Sequence, residues 1–551
     1  MNRTVILALA LSPILASCGH MEPSTVDEGV TDRLGPRAQL IRLSVDLRGI
    51  HPSEDELKAI EADPDSYGQF VDQYLYDPRF VEQMEDLYNG VLRTRTGDAW
   101  YDPTMAGLTQ PYSEVAESVG SEPLKLVSHV IDQDLPFSEI LLADYTLGDE
   151  IVAQMWGLSY PDGASGWQKL TYDDGRPLAG VLSTTSLWTR YPSAGLNANR
   201  HRANNLSRMF LCDDYLTRPV TFTTAQIEEL SDGGDPNDVI ANTPACQSCH
   251  STLDPIAAHF FGFWWEADPD DFSAMTRYNT GDEGLYAGQT SGQPGWYGQP
   301  TSDLRELATA LASDERFYDC TVQTVVEGLT QRSISDADWE PTQAHKDAFL
   351  SSNLNFRELV RSVVTADSYV ATQFEDPATH ERIPVIKTVS PRQMSAIIED
   401  KTGYVLAYDG LDALKYNDMG LVVLDGGIDG QYITDRTYEP TVSSMFVQER
   451  LSQAAGFRVA TNDLNPLREG DAILLGAVDV NSNPTDHLPA FEAQIRSLYV
   501  DLTGVPLAAD APQVGELVSL WKQIFSVTSS ATTSWAGVIA AVLRDPALLF
   551  Y

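Results

Sequence analysis

Cys246-Gln247-Ser248-Cys249-His250 is a stretch whose residue types and spacing together specify a chemistry. Two thiols three residues apart lie on one helical turn, where each adds to a vinyl group of a single haem. The histidine directly after them projects toward the iron as proximal ligand. Cys246 and Cys249 are therefore expected to attach one haem c covalently, with His250 as its metal ligand; no second CxxCH occurs. Two other uses of the spacing fit less well. A thiol redox pair sits at the start of a helix after a strand, and nothing before Thr243 reads as a strand. A zinc site needs a second CxxC or a histidine pair, which the chain lacks.

Asp254-Pro255 reads as an N-cap followed by Pro at the first helical position, a fresh helix start just beyond the haem turn. That helix carries Phe260, Phe261, Phe263, Trp264 and Trp265, which serve either as plain core or as a wall for a porphyrin. The sixth iron ligand is left open. Met275 lies 25 residues after His250 and Met209 sits on a helix ending at Cys212; a site with no such ligand is the further possibility. His259 is too close in sequence to cross to the other haem face. The distinction matters, because methionine ligation makes an electron carrier and an open site permits peroxide or gas chemistry.

The other cysteines point to an exported protein. Residues 1–18 read MNRTVILALALSPILASC, with Arg3 ahead of an apolar run from Val5 to Ala16. The run is shorter than the roughly 20 residues that span a bilayer, so it reads as an export signal. Leu15-Ala16-Ser17-Cys18 resembles the bacterial lipobox, in which the cysteine becomes lipidated; the plainer alternative is an ordinary signal peptide. With Gly19 rather than Asp after Cys18, the expected address is the outer membrane, the protein facing the periplasm or the cell surface. Residues 19–35 are polar and suit a tether. Cys212 and Cys320 remain. In an oxidising compartment they are expected to bridge, closing a loop worth about 4–5 kcal/mol by chain entropy; two buried free thiols are the alternative.

The elements that must position these residues read as mostly helical. Ser53 ahead of Glu54, Asp55 and Glu56 is a helix start, and helical spacing recurs at 123–132, 136–143, 303–312, 316–332 and 354–364. Residues 160–186 and 266–302 read as irregular or short strands, 375–384 as a linker, and the C-terminal third as helices with a small sheet. The expected fold class is thus a mainly α, multi-domain chain with long loops. Its segments are a signal at 1–18, a tether at 19–35, a helical domain at 36–178, a haem domain at 179–302, a helical domain at 303–374 and a mixed domain at 384–551. One repeat is visible. Val45-Asp46-Leu47-Arg48-Gly49-Ile50 matches Val500-Asp501-Leu502-Thr503-Gly504-Val505, and Leu75-Tyr76-Asp77-Pro78 matches Leu543-Arg544-Asp545-Pro546. It reads as a duplicated helical module.

The chain has 551 residues and a formal charge of −43, from 79 acidic and 36 basic side chains. That balance opposes nucleic-acid contact and favours a cationic redox partner or a salty habitat. Nucleophile elbow, Walker loop, GxGxxG and HExxH are absent. Asp479, Asn481 and Asn483 start like a calcium loop, but Pro484 replaces its glycine and Ala490 its last Glu. The acids Asp268, Asp270 and Asp271 read as solvated surface.

Four stretches resemble the large planctomycete-type cytochrome c proteins, also common in myxobacteria. They are LLADYTLGDEIVAQMWGL, GVLSTTSLWTRYPSAGLNANRHRANNLSRMFLC, CQSCHSTLDPIAAHFFGFW and FYDCTVQTVVEGLTQR. The resemblance spans roughly 40–372, and Cys246, Cys249 and His250 match its haem motif. Where many relatives have Gly after the Asp-Pro step, this chain has Ala257 and HFFGFWW. The resemblance implies a haem protein and no definite physiological role. The expected function is a lipid-anchored mono-haem cytochrome passing electrons in the bacterial envelope. The alternatives are a haem enzyme with an open iron site and an envelope lipoprotein whose haem is structural.

Overall fold

The computed structural model describes residues 30–97, 101–193, 195–219, 223–224, 240, 243–263, 278–290, 292–376, 386–408, 410–416 and 420–551. The expected class holds: the structure is 60% helix, and sheets among the described residues are two-stranded. It opens with Pro36–Arg48 (α1), Glu54–Ala62 (α2), Tyr67–Leu75 (α3) and Pro78–Leu92 (α4). Local chemistry sets their ends. Pro36 and Pro78 stand in first turns, where no N–H is needed, and Asp77 accepts from the Arg79 N–H. Ser53 and Glu56 form a capping box at α2.

Tyr112–Asp132 (α5), Arg200–Leu211 (α6), Pro244–Ala257 (α7), Leu304–Ala312 (α8), Glu315–Thr330 (α9) and Phe356–Val364 (α10) follow. α5 starts well before the expected segment, because Pro123 lies inside the helix and does not begin it. Pro391–Thr402 (α11), Val442–Asp463 (α12), Leu488–Thr503 (α13), Pro512–Thr528 (α14), Ala531–Val542 (α15) and Pro546–Leu549 (α16) complete the main helices. The small sheet expected in the C-terminal third is the pair Ala407–Tyr408 and Leu411–Asp412. Most of the expected linker at 375–384 lies outside the described residues.

The repeated text corresponds to the same order of elements. α1 stops where Gly49 takes a φ of 69°, and α13 where Gly504 takes 73°; the missing Cβ makes that left-handed turn inexpensive. Asp545 caps α16 as Asp77 caps α4. The two sets also touch. Arg37 Nε donates to the Gly504 carbonyl at 2.5 Å, and a Cβ on Gly504 would meet Ile41 at 3.1 Å and Leu57 at 3.2 Å. One continuous hydrophobic core runs from Leu40 to Leu549, so the segments from 36 onward share their packing. A smaller cluster gathers Tyr101, Val115, Ile151, Trp156 and Tyr172 around α5.

Charge is buried where α1 meets the last residue of the chain. Asp46 on α1 accepts hydrogen bonds from Tyr369, from Lys387 and, at 2.9 Å, from Tyr551. The Lys387 side chain has no exposure and also donates to the Leu329 carbonyl at 2.8 Å. Burial pulls Lys387 down to about 8, against the opposing pull of Asp46.

His51 lies just past Gly49 and is 2% exposed. The backbone of Leu548 and Thr503 lies beside it, yet neither ring nitrogen completes a hydrogen bond of ordinary geometry. Burial, with a smaller push from the Lys401 charge, lowers it to about 4. The folded chain therefore keeps His51 neutral between pH 4 and 6.5, while an unfolded chain binds a proton there. Stability is lost as pH falls through that window, on the order of 3 kcal/mol from this group. His51→Gln is expected to flatten the fall of urea-unfolding free energy across it; an unaltered slope would show that His51 titrates normally in the fold.

Candidate functional site

α7 starts at Pro244, after the extended Thr243. Cys246, Cys249 and His250 are three and four residues apart, so helical geometry gathers them on one face. Both thiols are free and half-buried. One turn further along stands Asp254, and the His250 Nδ1 lies 3.0 Å from its Oδ1. Asp254 has no exposed surface. Arg200 of α6 compensates its charge with two parallel bonds, Nε to Oδ1 at 2.7 Å and Nη2 to Oδ2 at 3.0 Å.

This geometry fixes the histidine. A carboxylate engaged by a bidentate guanidinium accepts and does not donate, so the proton of a neutral His250 belongs on Nδ1. Nε2 keeps its lone pair, the form in which an imidazole ligates a metal. His250 itself is 23% exposed at its side chain. The residues present therefore fit a covalently held haem: two free thiols and a histidine on one face, with the histidine presented in ligating form.

Asp254 is the residue whose role sequence reading misplaced. The expected fresh helix start at Asp254-Pro255 does not occur; α7 runs through both to Ala257. Pro255 sits in the last turn, and the Asp254 carboxylate is engaged by His250 and Arg200 in place of capping backbone N–H groups. The spacing of four between His250 and Asp254 was the available signal.

The aromatic block divides. Phe260, Phe261 and Phe263 are buried. Phe260 lies 4.4 Å from Trp188 and Phe263 4.9 Å from Tyr278 between ring centroids, so these rings serve the interior. Trp264 and Trp265 lie outside the described residues, as do Met275, Cys18 and the acids Asp268, Asp270 and Asp271. Met209 is buried on α6. It comes nine residues after Arg200, about half a turn round the helix, with its carbonyl oxygen 3.9 Å from the Cys320 sulfur. α6 thus turns Arg200 toward α7, and Met209 lies about half a turn round the helix from it.

Cys212 and Cys320 are joined, with Cα atoms 5.2 Å apart, tying the end of α6 to α9. Among the described residues, no three His, Cys, Asp or Glu side chains are grouped to hold a metal ion by themselves. The Asp479 to Asn483 stretch forms turns: Asp479 Oδ1 accepts from the Asn481 N–H, and Asn483 Oδ1 from the Thr485 N–H. No helix among the described residues is long and apolar enough to cross a membrane. Compared with protein families, curated proteins and solved structures, the chain matches none.

The bridge holds the helix that supplies Arg200. Replacing Cys212 and Cys320 together by Ser is expected to lower the urea-unfolding free energy by about 4 kcal/mol, from loop entropy returned to the unfolded chain. A loss under about 1 kcal/mol would mean that the unfolded chain is already restricted in that loop.

Proposed function

We propose that this chain is a mono-haem c-type protein of the bacterial cell envelope. Cys246 and Cys249 hold the haem covalently, His250 is the proximal ligand, and Cys18 carries a lipid anchor. The observation that carries the reading is the line Arg200–Asp254–His250, with bonds of 2.7 and 3.0 Å. A surface histidine in a chance CxxCH needs no buried carboxylate clamped by a buried arginine. The resemblance to the planctomycete-type cytochromes, carried in part by the same residues, points the same way.

Bound haem supplies a one-electron couple. The residues of the chain set its terms. The thiols would fix its position, His250 would present Nε2, and the Asp254 carboxylate at Nδ1 would strengthen the imidazole as a donor to bound iron, lowering the potential of a bound haem. With a net charge of −43, the fitting partner is a cationic electron carrier.

A second reading is an open iron site with peroxide chemistry. The Asp254 contact favours it, because a strongly donating proximal histidine is the ligand type that peroxide chemistry would use.

Protein matured with c-type haem attachment is expected to show a covalent c-type spectrum. That spectrum is lost in Cys246→Ala/Cys249→Ala and altered in His250→Ala. Reduced protein that does not bind carbon monoxide supports the carrier, and binding supports the open-site enzyme. Mature protein without covalent haem overturns both.

Asp254→Asn leaves a neutral partner at Nδ1 and is expected to raise the reduction potential in a redox titration. An unchanged potential would reduce Asp254 to a packing role.

A further inference from the structure

We infer that a groove between the end of α4, α6 and the loop at Gly430 binds a small, multiply charged oxyanion. The groove encloses about 380 Å³ and is lined by Arg93, Arg190, Tyr191, His201, Asn205 and Arg208, among others. In a chain with 79 acidic and 36 basic side chains, three guanidiniums on one concave wall run against the composition. They come from separate elements. Arg93 is the residue just past α4, Arg190 ends the short helix Thr185–Arg190, and Arg208 lies on α6.

Their positions are fixed by groups that do not neutralise them. Arg190 Nε donates to the Gly430 carbonyl at 2.7 Å and to that of Arg93 at 3.1 Å. Arg208 donates to the Val91 carbonyl at 3.1 Å and to the Tyr191 hydroxyl at 2.9 Å. Tyr191 lies between the two, with the Arg190 guanidinium 4.6 Å from its ring. Arg93 Nε is buried with no hydrogen-bond partner.

The carboxylates nearby are weak or engaged elsewhere. Asp435 reaches Arg93 at 3.5 Å but is 91% exposed, where water screens it. Asp429 Oδ1 accepts from the N–H groups of Gln431, Tyr432 and Ile433, at 2.8 Å each. Asp214 accepts from Asn204 and from the Leu216 N–H. Burial lowers Arg93 and Arg190, and Arg208 pushes both further down, a push that Asp435 on Arg93 and Asp429 on Arg190 oppose only in part. An anion with several oxygens relieves that repulsion and suits guanidinium forks better than a monovalent halide does. The haem assignment is not needed for this site.

The test is calorimetric titration of the full mature chain with sodium phosphate and with sodium sulfate, against sodium chloride at matched ionic strength. Saturable binding of one phosphate or sulfate per chain is expected, with none for chloride. Arg93→Gln removes a guanidinium whose one ion-pair partner among the described residues is exposed, and it is expected to weaken binding at least tenfold while melting like the parent. Arg208→Lys is expected to weaken it as well. No saturable binding of either oxyanion overturns the site, as does equal binding by both variants. Should Arg93→Gln fail to fold, thermal shifts of the parent chain decide. A melting-temperature rise that saturates at low millimolar phosphate supports the site, and one that is absent there or only grows in proportion to salt overturns it.

Discussion

The fold turns on a carboxylate with almost no access to water. Asp46, inside the first helix, receives Tyr369, Lys387 from the start of the C-terminal segment, and Tyr551, the last residue. Such a pair gives little net stability, since the cost of desolvating two charges offsets most of their attraction. What it imposes is register. Any arrangement that separated Asp46 from Lys387 would leave a charge buried alone, so the helices around it share one alignment.

The Arg200–Asp254–His250 line uses the same device at smaller scale. Asp254 is wholly buried, and Arg200 from another helix makes that burial tolerable. The carboxylate then has a fixed direction, and His250 inherits it. Because α6 is also tied to α9 through Cys212 and Cys320, the arginine that orients the histidine's partner stands on a braced helix. Position passes from covalent bridge to helix, from helix to ion pair, and from ion pair to the imidazole.

The overall charge of −43 hides an uneven distribution. Acidic side chains dominate in number, while several arginines are drawn inward to satisfy carbonyl groups, as Arg357 does at Leu75 and Ile131. The groove of Arg93, Arg190 and Arg208 is where such inward arginines converge, with Asp435 exposed and Asp429 and Asp214 shared with other donors. Composition alone does not reveal it, because the residues come from 93, 190 and 208 and meet only through folding.

How much was legible follows from which interactions are local. The helical class, the helix start at Ser53, the repeated segments ending at Gly49 and Gly504 and the CxxCH spacing each depend on residues a few positions apart, so the sequence by itself determined them. The pairing of Cys212 with Cys320 followed from counting cysteines. Asp254 was visible but misassigned, because an Asp before a proline is an N-cap in isolation and became a histidine partner only when Arg200 arrived from another helix. The Asp46–Lys387 pair, the packing of the two repeated modules and the arginine groove were decided by tertiary structure alone. Burial and long-range charge pairing are properties of the assembled fold, and no local pattern of residue types carries them.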